Sequence, residues 1–192
     1  MIDFLVIGGG IAGISVAARL SGDGSCKVLE REAHLGYHTS GRSAALYEEN
    51  YGSPSTIALA KAGHADWDNL LAGVLSPRGF MLLCLRGEET QFEADRRHMD
   101  LTEISMAEAQ ARVPILDTQK VLRAAYSTTA QDIDTDMMLQ RFAKLFRRNG
   151  GVIETHQCVQ AIQKIVGGWQ VTCQEQTFTA RRLINAAGAW GD

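Results

Sequence analysis

Nothing in this chain of 192 residues approaches the roughly 20 consecutive apolar residues that a bilayer-spanning helix needs. The apolar run Phe4 to Ile7 is too short for the hydrophobic part of a secretion signal. No basic stretch precedes it, and it leads straight into glycines. A strong charge bias is absent too. The 19 Lys and Arg against 22 Asp and Glu leave a net charge of −3, which offers no electrostatic footing for nucleic acid or an anionic membrane surface. The four cysteines (Cys26, Cys84, Cys158, Cys173) contain no C-x-x-C pair and no metal-like spacing, so they read as reduced structural thiols. Internal repeats and low-complexity tracts are missing as well. Together these absences point to an ordinary globular protein of the cytoplasm. With 45% hydrophobic residues, it has enough apolar mass for a substantial core.

What is present begins with a strand at Asp3 to Ile7, whose unbroken apolar run suits a parallel strand covered on both faces. Ile11 to Leu20 reads as a helix and Lys27 to Glu30 as a second strand, one βαβ unit with the usual right-handed crossover. Ala33 to Arg42 is loop-like, and Ser43 to Glu49 is expected to continue as helix. Ser53-Pro54 marks a helix start, with a run expected to about Leu75, and Phe80 to Leu85 follows as a strand. Ser105 to Glu108 has capping-box spacing and opens a short helix that stops before Pro114. Met138, Phe142 and Leu145 form an apolar stripe at helical spacing, ended by Gly150-Gly151. Val152 to Glu154 is then a strand, and Val159 to Val166 and Trp169 to Cys173 flank the hairpin signal Gly167-Gly168. The last strand, Leu183 to Ala186, runs into the small-residue turn Ala187-Gly188-Ala189. Domains rarely end at the exit of a buried strand, so a truncated chain is expected.

The chemistry-bearing signal is Gly8-Gly9-Gly10-Ile11-Ala12-Gly13, a G-x-G-x-x-G run between strand and helix. Gly8 permits a tight turn, Gly10 leaves room for a diphosphate, and Gly13 lets helix and strand pack closely. The first amides of the helix, including that of Ala12, then face the phosphates, with the positive end of the helix dipole behind them. Such loops also occur as plain turns. Here Glu30 ends the second strand about 20 residues on, where an acid hydrogen-bonds ribose hydroxyls. Glu30 opposes a phosphorylated ribose, although Arg31 beside it softens that objection. The turn alone does not choose between NAD and FAD.

Residues 36–47, Gly-Tyr-His-Thr-Ser-Gly-Arg-Ser-Ala-Ala-Leu-Tyr, make that choice. Placed just after the ribose-binding strand, they resemble the second flavin-contacting loop of the D-amino-acid oxidase family, most nearly its D-arginine dehydrogenase-like branch. Residues 183–190 resemble that family's later strand and turn near the cofactor, and Asp132 to Thr135 fits its register. The resemblance implies an α/β fold. A Rossmann-like FAD-binding domain would carry a central parallel sheet with an added antiparallel β-hairpin, accompanied by part of an α+β substrate domain. In that plan residues 1–75 and 130–192 form the FAD-binding domain and 76–129 belong to the substrate domain. FAD contacts are implied for Thr39, Ser40, Gly41, Arg42, Ser43, Ala44, Val159, Ala187 and Gly188, besides Gly8, Gly10, Ala12, Gly13, Glu30 and Arg31. Ser40 can cap a following helix, and Arg42 offers charge to phosphates.

The implied reaction moves a hydride from the Cα of a D-amino acid to flavin N5, giving an imino acid. Because the cofactor carries that chemistry, no catalytic side chain is assigned. Leu46, Tyr51 and Phe80, with Tyr47, either line the substrate side or pack in the core. The family's substrate-carboxylate arginine and a later glycine-rich flavin segment are expected beyond residue 192. Oxidase and dehydrogenase remain open, and so does the electron acceptor. A non-catalytic FAD-binding remnant remains an alternative, as does a flavoenzyme acting on glycine, sarcosine or a 2-hydroxy acid. No metal is expected. Asp132-x-Asp134-x-Asp136 lacks the glycine and glutamate of a calcium loop, having Met137 and Ala143 in their places. His34 and His38 read as solvated, as do the basic runs Arg96-Arg97-His98 and Arg147-Arg148.

Overall fold

The computed structural model describes residues 1–191. In chain order the elements are β1 (Ile2–Ile7), α1 (Ile11–Leu20), β2 (Cys26–Leu29), a 3-10 turn (Thr39–Arg42), β3 (Leu46–Tyr47), α2 (Pro54–Ala62) and α3 (His64–Asp68). There follow β4 (Leu75–Pro77), β5 (Phe80–Leu85), α4 (Glu89–His98), β6 (Thr102–Ile104), α5 (Met106–Arg112), β7 (Val121–Ser127) and β8 (Gln131–Ile133). The chain continues through α6 (Thr135–Arg148), β9 (Val152–Glu154), β10 (Val159–Ile165), β11 (Gly168–Cys173), β12 (Thr177–Asn185) and a second 3-10 turn (Gly188–Trp190). The fold is α/β with one mostly parallel sheet and additional antiparallel sheets, as the sequence implies.

Two compact units result, Met1–Ser43 with Asp134–Asp192, and Ala44–Ile133. The first is built on a six-stranded sheet in the order β10-β11-β12-β1-β2-β9. β12, β1, β2 and β9 run parallel, and the β10–β11 hairpin adds antiparallel to β12. Leu5, Ile7 and Leu29 join Val171, Cys173, Phe178 and Ala180 in one core cluster. The alternate residues Phe4, Val6 and Val28 point to the other face by strand geometry and are also buried. α1 packs against β1, β2 and α6, enclosing Ile14, Ala17 and Ala18. Asp134 caps α6 by accepting the Met137 N–H at 2.8 Å, so this acid serves the helix rather than a cation.

The second unit holds two three-stranded antiparallel sheets, β3-β8-β4 and β5-β7-β6. Its core gathers Cys84, Phe92, Met99, Leu101 and Ala125. Ser53 caps α2 with proline at the first position, and Ser105 with Glu108 forms the full capping box of α5.

Several expectations change. Residues 43–49 are extended rather than helical, because Leu46 and Tyr47 pair with Asp132 and Gln131 across the chain. Glu48 is buried there, its carboxylate accepting the Ser127 and Thr129 hydroxyls at 3.3 Å each. α2 ends at Ala62 instead of near Leu75, and Leu75 already belongs to a strand on β8. The boundary expected near 75 therefore falls at Ser43, since β3 and β4 share β8 within one unit. On α6 the buried stripe is Leu139, Phe142, Ala143 and Phe146, with Met138 and Leu145 half-buried on its flanks. β12 begins six residues before the expected Leu183, drawn out by pairing with β11. α4, β6, β7 and β8 carried no clear local signal. The Arg96-Arg97 run is not simply solvated, because both guanidinium groups pair with Glu93.

Candidate functional site

β1 ends at the centre of the parallel sheet, between β12 and β2, and the glycine turn follows at its carboxyl end. This is where open α/β sheets form a ligand crevice. Gly8 has φ of +101° and donates its N–H to the Leu29 carbonyl at 2.8 Å. A Cβ on Gly8 would collide with the Ala186 carbonyl, and one on Gly13 with the Gly8 carbonyl. Both positions therefore bring backbone against backbone. Gly10 caps α1 in an extended conformation, and the first intrahelical bond runs from the Ile14 N–H to the Gly10 carbonyl at 3.0 Å. The preceding amides, those of Ala12 and Gly13, lie in the first turn at the positive end of the helix dipole.

Glu30 is 8% exposed. Its Oε2 accepts the Gly9 N–H at 2.7 Å and its Oε1 the Glu32 N–H at 2.9 Å. The carboxylate thus stitches the end of β2 to the glycine turn. Each oxygen has a further acceptor site, which suits a pair of sugar hydroxyls. The Glu30 carbonyl in turn accepts the Gln157 N–H at 2.8 Å, bringing residues 157–159 to the same place.

These groups surround a cavity of about 250 Å3. Gly8, Gly10, Ala12, Glu30, Arg31, Thr39, Ser40, Val159, Ala187 and Gly188 of the candidate residues line it. Gly13 is packed beneath the turn, and Gly41, Arg42 and Ser43 are exposed outside the wall. Ala44, Leu46, Tyr51 and Phe80 belong to the second unit. There Tyr51 is 61% exposed, Leu46 pairs with Asp132, and Phe80 packs against the core. The Tyr47 ring packs tilted against Trp67, with ring centres 5.0 Å apart, and its hydroxyl donates to Glu49. Ser40 caps a different helix from the one expected: its Oγ accepts the Ile11 N–H of α1 at 3.0 Å. The segment after Ser40 is a 3-10 turn that passes into extended chain, so no helix follows for it to cap.

Tyr37, His38 and Trp190, which lie inside the two segments that resemble flavin-contacting ones but were given no individual role, line the cavity as well, and so do Gln157 and Cys158. Gln157 and Cys158 carry no local signal, and they reach the site because the Gln157 N–H bonds the Glu30 carbonyl across the fold. His38 is not merely solvated. Its Nε2 lies 2.8 Å from Glu32 Oε1 and 3.2 Å from Arg31 Nη2, and its ring lies 4.4 Å from Trp190. The contact with His38, helped by Arg31, holds the Glu32 carboxyl below the usual carboxylate range. The Arg31 guanidinium lies 4.3 Å from the Trp190 ring centre. Cys158 is exposed, whereas burial pushes the Cys26 thiol up to about 11. Among the described residues no cluster could hold a metal ion, and no helix is long and apolar enough to cross a membrane.

Backbone amides at a helix start, a buried carboxylate beside them and a cavity running on to residues 157–159 suit a diphosphate joined to an adenosine. Comparison with known proteins agrees. Over 207 aligned residues the chain is 26% identical to human mitochondrial dimethylglycine dehydrogenase, covering 97% of this chain and 23% of that protein. L-proline dehydrogenase from P. horikoshii shares the fold, with a TM-score of 0.83 at 20% identity over 99% of this chain and 54% of that one. Glycine oxidase from Geobacillus kaustophilus gives 0.83 at 19% identity, over 99% and 56%. The chain spans about half the length of these solved structures and about a quarter of the dehydrogenase. Residues 3–192 match the family model described as FAD dependent oxidoreductase (DAO), and the chain belongs to that family, whose cofactor is FAD.

Proposed function

We propose that the protein oxidises the Cα–N bond of an amino acid, with D-amino acids as the first substrate class, and that the cavity in its first unit takes the ADP half of FAD. The observation that carries the cofactor's placement is the buried Glu30 carboxylate joined to the Gly9 amide in the wall of that cavity. In this reading the amides of Gly10 and Ala12 hold the diphosphate, and Glu30 accepts the ribose hydroxyls. Backbone at Cys158 and Val159 borders the adenine, and the 39–43 segment with Ala187 and Gly188 lies toward the flavin. The first unit is then the FAD-binding domain and the second a part of the substrate domain, in a cytoplasmic enzyme.

Bound there, FAD supplies the two-electron acceptor. The substrate gives up a hydride from Cα and a proton from nitrogen, and water hydrolyses the resulting imine to an oxo acid and ammonia. The contribution of this chain is alignment and charge, which hold the acceptor in place while the substrate is oriented. A second reading, an N-methylated glycine as substrate, is favoured by the likeness to dimethylglycine dehydrogenase.

The test is anaerobic flavin reduction in the complete protein, screened against D-amino acids, their L-enantiomers, glycine, sarcosine, dimethylglycine and 2-hydroxy acids. Bleaching of flavin absorbance by D-amino acids alone supports the first reading, and bleaching by the N-methylated glycines the second. Reduction only by 2-hydroxy acids overturns both. A protein that holds FAD but is reduced by none of these is a non-catalytic flavin binder. Release of NAD on denaturation defeats the cofactor assignment.

A further inference from the structure

We propose that Asn185 is a positioning residue for the cofactor: its side-chain amide pins both ends of the 187–191 turn and so preforms one wall of the cavity for FAD. This rests on the cavity being the FAD site. Asn185 is the last residue of β12 and pairs with Ile7 of β1, which leads into the glycine turn. The ladder gives one more bond, from the Ala186 N–H to the Ile7 carbonyl at 2.8 Å, and the chain then leaves the sheet. Ala186, Ala187, Gly188 and Ala189 line the cavity in succession. Trp190 follows, packed against the Arg31 guanidinium and the His38 ring.

Little within this turn holds its shape. Residues 186–189 are alanine or glycine, with no side chain long enough to anchor them, and Gly188 has φ of +62°. The backbone bonds of the turn run from the Trp190 N–H to the Ala187 carbonyl and from the Gly191 N–H to the Gly188 carbonyl. Both are 3.3 Å, just past the usual N–H···O range. The Asn185 amide supplies two shorter ones. Its Oδ1 accepts the Ala187 N–H at 3.1 Å, and its Nδ2 donates to the Gly191 carbonyl at 3.0 Å. One partner only donates and the other only accepts, which fixes the orientation of the amide. A single side chain at the strand exit therefore ties the start and the end of the turn, and Trp190 between them, to the sheet.

Asn185 is not itself part of the cavity wall and acts through residues 187–191. A wall fixed before FAD arrives spares the complex the entropy cost of ordering a loose loop. Removing the amide therefore loosens the turn in the free protein and weakens FAD binding. Because Asn185 is exposed, water competes for both of its bonds, and the effect has the scale of one net hydrogen bond.

The experiment compares two variants of the complete protein. Asn185→Leu keeps the size of the side chain and makes neither bond. Asn185→Ser retains an acceptor for the Ala187 N–H but is too short to reach Gly191. Amide hydrogen exchange across 186–191, measured without FAD, should be about three- to tenfold faster in Asn185→Leu than in wild type. The FAD dissociation constant, read by flavin fluorescence, should rise by about three- to tenfold as well. Asn185→Ser should fall between wild type and Asn185→Leu on both readouts. A merely structural role would lower stability and leave the affinity of the folded protein unchanged. An FAD affinity of Asn185→Leu within about 1.5-fold of wild type therefore overturns the inference, and so does weaker binding with unchanged exchange. Should Asn185→Leu fail to fold, Asn185→Ser decides by the same two criteria. Wild-type protein that binds no FAD overturns the cofactor placement itself, a distinct failure because exchange without FAD still reads the turn.

Discussion

In the first unit Leu5, Val6 and Val28 are fully enclosed, whereas in the second Leu83 and Leu85 of β5 keep 37% and 43% of their surface exposed. The parallel strands at the centre of a six-stranded sheet are covered on both faces, and their side chains alternate between two buried layers. β5 is the edge of a three-stranded sheet, and only its Cys84 is fully enclosed. Polar groups differ in the same way. Beside the cavity, the Glu30 carboxylate meets backbone amides that the fold holds rigidly. In the second unit Glu93 sits among the side chains of Arg96, Arg97 and Arg123, and Arg123 also bonds Glu103. The first arrangement positions a charge to within the tolerance of the backbone. The second joins elements through long, partly exposed side chains, which contribute little each.

Substitutions sharpen this contrast. The largest loss is expected for Leu5→Ala, at about 2–5 kcal/mol of stability from lost burial and a cavity, read from the urea midpoint. Gly13→Ala follows at about 1–3 kcal/mol, since its Cβ must displace the Gly8 carbonyl, and it should weaken FAD binding in an equilibrium titration. For Glu30→Ala we expect a similar loss, about 1–3 kcal/mol, because the buried Gly9 amide is left without its acceptor. The same variant should bind FAD at least about tenfold more weakly, the equivalent of one charged hydrogen bond. A Glu30→Ala protein with native affinity would remove the ribose role assigned to this residue.

The polar cluster of the second unit gives a smaller, pH-dependent effect. Hydrogen bonding to Arg96, then to Arg97 and Arg123, lowers the Glu93 carboxyl from 4.5 to about 2. A depressed carboxyl stabilises the fold above its unfolded value and loses that contribution as pH falls through the folded one. Glu93→Gln should therefore lower the melting temperature near neutrality, with the difference from wild type shrinking between pH 4.5 and about 2. A difference that is constant with pH would show that the charge is not what matters. Leu83→Ala is the smallest case, within about 0.5 kcal/mol, because the side chain is already in part solvated. A loss as large as that of Leu5→Ala would mean that the β5 face is covered in the working protein.

The same contrast governs what could be read in advance. Near the amino terminus the signals are local and mutually consistent. An apolar run, three glycines at fixed spacing and an acid at the next strand end describe the β1–α1–β2 corner within a residue or so. The capping residues Ser53 and Ser105 were legible for the same reason, since each acts on an amide three positions away. In the second unit such signals thin out. Residues 43–49 look helical, yet Leu46 and Tyr47 become a strand because Gln131 and Asp132, more than eighty residues on, offer partners. The α6 stripe was displaced because both Met138 and Leu139 are apolar, and only packing decides which of them turns inward.

By itself the sequence determined the glycine turn, its following helix and the acid that closes the corner, because each depends on steric limits and hydrogen bonds within a few residues. It also determined membership of an FAD-dependent family, carried by motifs along nearly the whole chain. Only the tertiary structure decided that Ser40 caps α1, that Gln157 and Cys158 border the cavity, and that His38, Glu32, Arg31 and Trp190 meet there. Those contacts join segments up to about 160 positions apart, and they exist because parallel strands must be brought edge to edge by crossovers that local propensity does not encode.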